Sequence, residues 1–65
     1  MLRGTVIEFD GTKGLGHVRS DSGVEYLFHV VEITDGSRTI DVGQPVSFQP
    51  LPKFGQFQAG KLRKV

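Results

Sequence analysis

The chain has 65 residues, a formal net charge of +1, nine glycines, three prolines and no cysteine. So short a chain makes one small domain that hides only about 60% of its unfolded surface, with no disulfide or thiolate-held zinc to staple it. The near-neutral balance excludes a molecule-wide attraction for polyanions, so any basic surface is local, and no apolar run approaches the ~20 residues of a membrane-spanning helix. Met1-Leu2-Arg3-Gly4, with no signal-like segment, reads as the start of a cytoplasmic protein. Glycines and prolines punctuate short β-branched and aromatic runs, an all-β pattern of about five strands. The first expected strand is Arg3 to Asp10, followed by a turn at Asp10-Gly11-Thr12. The second runs from Gly16 to Ser20. Asp21-Ser22-Gly23 then turns the chain, because Asp and Ser bond the local backbone and Gly supplies positive φ. The third, Val24 to Val30, alternates: Val24, Tyr26 and Phe28 share the inner face, and Glu25, Leu27 and His29 the wetter one. Val31-Glu32-Ile33 reads as one helical turn, and residues 34–44 as a long loop. The fourth strand, Pro45 to Gln49, points Val46 and Phe48 inward. After a loop over Pro50 to Gly55, in which Phe54 caps a barrel end, the last strand runs from Phe57 to Val65.

Five short strands suit a closed barrel, which removes the exposed sheet edges a small all-β protein otherwise carries. An SH3-like barrel and an OB-fold both satisfy the strand pattern. The most informative segment is Lys13-Gly14-Leu15-Gly16-His17-Val18, followed by Leu27-Phe28-His29. A basic residue, then glycines alternating with bulky residues, is a frame on which barrels present side chains that stack on bases. Gly14-Leu15-Gly16 alone is unspecific, and it is not a phosphate-binding Walker loop, since no Gly-Lys-Ser/Thr follows a four-residue gap.

The residues in order, Gly4-Thr5-Val6, Phe9-Asp10, Lys13-Gly14-Leu15-Gly16, Gly23, His29, Ile33, Arg38-Thr39-Ile40, Gly43-Gln44, Val46-Ser47-Phe48 and Gln58-Ala59, span nearly the whole chain. In order and spacing they resemble the bacterial cold-shock domain. That resemblance implies a five-stranded antiparallel OB-fold barrel over residues 1–65 as a single domain. It also implies a non-enzymatic binder of single-stranded RNA or DNA, in RNA chaperoning or gene regulation, with no cofactor, and monomeric.

The departures from the family pattern are systematic. The two phenylalanines of the first RNP motif are Leu15 and His17. In the second motif the outward phenylalanine is Leu27 and the last is Val30. The first-strand tryptophan is Glu8, and the lysine before it is Ile7. An aromatic of the long loop is Ser37. Each base stacked on an aromatic is worth about 1–3 kcal/mol. Losing three platforms nominally costs about 3–9 kcal/mol, enough to move nanomolar binding to micromolar or weaker. Glu8 adds repulsion of phosphates. Lys13, His29, Arg38 and Phe9 persist from the family's binding face. His17 replaces a stacking ring by an imidazole, and Arg19 and Arg38 can stack through the guanidinium plane. Phe57 reads equally as a surface contact or as core at a strand start. Lys61, Arg63 and Lys64 read as a solvated tail, of which Lys61 and Arg63 steer a polyanion. The expected contacts are therefore Lys13, His17, His29, Arg38, Phe9 and Phe57, with Lys61 and Arg63 steering. Binding of this kind is weak, salt-dependent, and strengthened by acidification through the range where imidazole charges.

Two other classes compete. Leu15, Leu27 and Val30 around Glu8 read as an apolar patch with a central acid, fit for a protein partner carrying Lys or Arg beside apolar residues. Alternation also lets His17 and His29 face each other across two strands, but two histidines without a third ligand rarely hold zinc tightly. No metal and no catalytic constellation is expected.

Overall fold

The computed structural model describes residues 1–53 and 55–65. Its strands are β1 Leu2–Asp10, β2 Leu15–Ser20, β3 Glu25–His29, β4 Pro45–Lys53 and β5 Gln56–Lys64, with a 3₁₀ turn, Val30–Glu32, after β3. They close into a barrel in the order β1-β2-β3-β5-β4. Four of the contacts are antiparallel; the fifth, between β3 and β5 at Leu27 and Gln58, is parallel. The expected OB-type barrel is therefore present, closed by one parallel seam.

Alternation along the strands builds the core. Val6, Val18, Phe28, Val46, Phe48 and Leu62 are fully buried, with Val30, Ile33, Ile40 and Ala59 beside them. The expected inward pair Val46 and Phe48 is there. Tyr26 packs edge-on against Phe48, with ring centroids 5.2 Å apart. Phe9 lies almost parallel to Phe28 at 6.3 Å. Between those two strands sits Gly16, paired with Phe9 on one side and Phe28 on the other. A Cβ there would meet the Phe28 ring at 2.5 Å and the Glu8 carbonyl at 2.6 Å, so only glycine lets the Phe28 ring pass beneath β2.

Two expectations are corrected at β3. Val24 precedes the strand and is exposed, because the Asp21–Gly23 turn extends through it, its carbonyl accepting from the Ser20 N–H. Val30 is in the core, not on the outer face. The outward expectation came from the phenylalanine that the family's second motif carries at this place, whereas the alternation that turns Tyr26 and Phe28 inward carries through His29 to Val30 at the start of the 3₁₀ turn.

β4 runs four residues further than expected, through Pro50 and Pro52. Its first half has β1 on one side and β5 on the other, whereas beyond Phe48 only β5 pairs with it. The two prolines, two residues apart, share a lateral direction, so their missing N–H groups fall on the edge without a strand. Phe54 lies outside the described residues.

Candidate nucleic-acid interface

The outer face of β1, β2 and β3 is a grid set by register. Asp10, Leu15 and His29 make one row. Glu8, His17 and Leu27 make the next, which continues to Gln58 on β5. Thr5, Arg19 and Glu25 make the third. The grid keeps its alignment because β1 carries a bulge: Val6 faces Val18 and Glu8 faces His17, leaving Ile7 as the extra residue. The two histidines are therefore diagonal neighbours and not opposed, each facing a leucine. Among the described residues no three His, Cys, Asp or Glu side chains gather as a metal-ligand set.

The β1–β2 turn presents Lys13. The Asp10 carboxylate accepts from the N–H groups of Thr12 at 3.0 Å and Lys13 at 3.1 Å, and the Asp10 carbonyl from that of Gly14 at 2.9 Å. Gly14 takes a φ of 70°, and its carbonyl accepts from the Val30 N–H. This turn and the first two rows enclose an open depression of about 580 Å³, lined by Glu8, Phe9, Lys13, Leu15, His17 and Leu27 among others.

Of the expected contacts, Phe9, Lys13 and His17 meet at this depression; His29 does not line it but pairs with Leu15, which does. Phe9 is half-buried, one side against Phe28 and the other toward the depression. Arg38 and Phe57 are exposed elsewhere, Arg38 in the long loop and Phe57 on β5 opposite Pro52. Lys61 and Arg63 belong to another side of the barrel. Arg63 faces Ser47, which faces Arg3, so a basic row crosses β5, β4 and β1. With Met1, Thr34 and Gln49, Lys61 and Arg63 line a second depression that shares no residue with the first. Arg3, Lys13, Arg38, Lys61 and Arg63 have no carboxylate within ion-pair distance among the described residues. Arg19 is held by Glu25 at 3.0 Å.

The contact that sequence reasoning missed is between Glu8 and His17, whose Oε1 and Nδ1 lie 2.8 Å apart. An ionised carboxylate only accepts, so Nδ1 carries the proton. The bulge at Ile7 decides this pairing, and no residue pattern announces it. The expected apolar patch also shrinks: with Val30 in the core, only half-buried Leu15 and Leu27 remain beside Glu8.

No family model matches the chain. Individual proteins do. Cold shock protein 2 of Lactiplantibacillus plantarum is 39% identical over 49 residues, covering 74% of each chain. Cold shock-like protein CspA of Stigmatella aurantiaca is 36% identical, covering 100% of this chain and 98% of its own. Cold shock protein CspC of Bacillus subtilis is 33% identical over the full length of both. Among solved structures, Drosophila Unr CSD456 superposes with a TM-score of 0.82 at 26% identity, over 98% of this chain and 26% of that longer one. The chain belongs to the cold-shock protein family, a class of non-enzymatic nucleic-acid-binding barrels.

Proposed function

We propose that the outer face of β1, β2 and β3 binds single-stranded RNA or DNA, with an affinity reduced by the loss of its aromatic platforms. The observation that carries this reading is the depression in which Lys13, an unpaired cation on an ordered turn, stands beside Phe9, His17, Leu15 and Leu27. Lys13 takes a phosphate, while the imidazoles of His17 and His29 and the edge of Phe9 take base faces. Arg38 and Phe57 extend the contact if the strand runs past the depression, and Lys61 and Arg63 steer from the other side. The protein acts as a monomer in the cytoplasm, in RNA chaperoning or gene regulation. A protein-docking role for the same face is less favoured, since Val30 is withdrawn into the core.

The test is a fluorescence-anisotropy titration of labelled oligothymidylate and oligouridylate at two salt concentrations. Wild type binds at micromolar or weaker Kd, more weakly at the higher salt. Lys13→Ala lowers the slope of log K against log salt by about 1. His29→Ala weakens binding about 5-fold or more, the low end of what one stacked base contributes. No association even at low ionic strength overturns the reading.

A further inference from the structure

We propose that Glu8, oriented by His17, makes the depression select guanine among the bases of an unpaired strand. This inference rests on the nucleic-acid reading above and gives a positive role to the residue that otherwise argues against it.

Glu8 stands at the β1 end of the middle row, which crosses β2 and β3 and continues to β5. Its side chain is 69% exposed, against 40% for His17, so it is available to a ligand while its partner is more enclosed. The 2.8 Å hydrogen bond from Nδ1 uses one acceptor position of Oε1. A carboxylate has about four such positions, so Oε2 and the remaining lone pair of Oε1 stay open. Both residues line the depression, and the half-buried Leu15 and Leu27 offer apolar surface to a base face there.

The chemistry of the bases then discriminates. Glu8 offers only acceptors. On its Watson–Crick edge guanine carries two adjacent donors, N1–H and the N2 amino group, which match the two oxygens of a carboxylate. Adenine and cytosine place an acceptor ring nitrogen beside their single amino group. Thymine and uracil flank N3–H with two carbonyl oxygens. These four bases therefore bring at least one lone pair against the carboxylate, and guanine brings none. The same charge repels phosphates, so the strand gains from Glu8 only where a guanine occupies the depression. His17, which stands between Glu8 and Leu27 in the register of the sheet, holds the carboxylate through the 2.8 Å hydrogen bond.

The experiment is a titration of labelled oligothymidylate against the same oligomer carrying one central guanine, adenine or cytosine, with isolated guanines so that four-stranded structures do not form. Wild type is expected to bind the guanine oligomer about 5- to 10-fold tighter than the other three, the low end for a bidentate base contact. In Glu8→Gln, which keeps size and loses one acceptor, and in Glu8→Ala, the preference disappears, while affinity for plain oligothymidylate rises as the repulsion is removed. Equal affinities in wild type, or a guanine preference that persists in Glu8→Ala, overturns guanine selection and leaves the nucleic-acid reading standing. Failure of all four oligomers to bind overturns both.

Discussion

Gly16 is the residue on which the face and the core depend together. Phe9 and Phe28 reach each other only because β2 has no side chain between them. A methyl group there would press on the Phe28 ring and on the Glu8 carbonyl, and the second of these is backbone and cannot rotate away. Gly16→Ala is therefore expected to destabilise the barrel by about 1–3 kcal/mol, the usual cost of overpacking. That lowers Tm by about 4–8 °C per kcal/mol in a domain of this size. A thermal melt by circular dichroism reads it directly, and an unchanged Tm contradicts the packing. Inward positions on regular strands, such as Val46, Phe48 and Phe28, were legible because alternation is a strict consequence of the pleat. Val30 has the same parity as Phe28, and its expected outward placement rested on the phenylalanine of the family's second motif and not on the pleat. Glu8 was legible as an odd residue on a binding face, but its partnership with His17 was not, because it turns on one bulged residue in β1.

At the scale of elements, the long loop shows what turn chemistry does without regular structure. Residues 34–44 are tied down at both ends: the Thr34 N–H donates to Leu62, the Gly43 N–H to Val6, and the Val6 N–H to Gln44, while Ile33 and Ile40 sit in the core. Within the loop, hydrogen bonding from Ser37, through its hydroxyl and then its backbone N–H, with the Lys64 ammonium adding to it, holds the Asp35 carboxyl at about 2, below its usual 3.8. Lys64 reaches Asp35 at 3.3 Å and Ser37 at 3.0 Å. A lowered carboxyl stabilises the fold fully above its unfolded value and loses that effect as pH falls through the folded one. The contribution of this pair is thus present above about pH 4 and withdrawn toward about pH 2. An NMR titration of the Asp35 carboxyl is expected to give the low midpoint in wild type and a rise toward 3.8 in Ser37→Ala. Equal midpoints in the two proteins exclude a contribution from the Ser37 hydroxyl, the backbone N–H being kept in the variant. Residues 34–44 were readable as a loop, but the tie of Asp35 to Lys64 crosses 29 residues of chain and needed the fold.

For the whole molecule, the question is how a chain of net charge +1 draws a polyanion to one face. Its unpaired cations are spread around the barrel: Lys13 at the depression, Arg38 in the loop, and Arg3, Lys61 and Arg63 on the β1–β4–β5 side. The Cα envelope measures 24 × 24 × 18 Å. At 0.1 M salt charges are screened beyond about 10 Å, whereas at 0.01 M their reach is about 30 Å, more than the width of the barrel. Cations on the far side therefore act on a strand in the depression only at low ionic strength, and they act on approach more than on residence. The double variant Lys61→Ala with Arg63→Ala is expected to slow association severalfold at about 0.01 M salt and to match wild type at about 0.1 M or above, by stopped-flow with labelled oligothymidylate. Lys13→Ala, at the depression itself, keeps its defect at both. If the double variant stays impaired at the higher salt through faster dissociation, those side chains touch the strand, and the path of the nucleic acid wraps from the β2–β3 face onto β4 and β5.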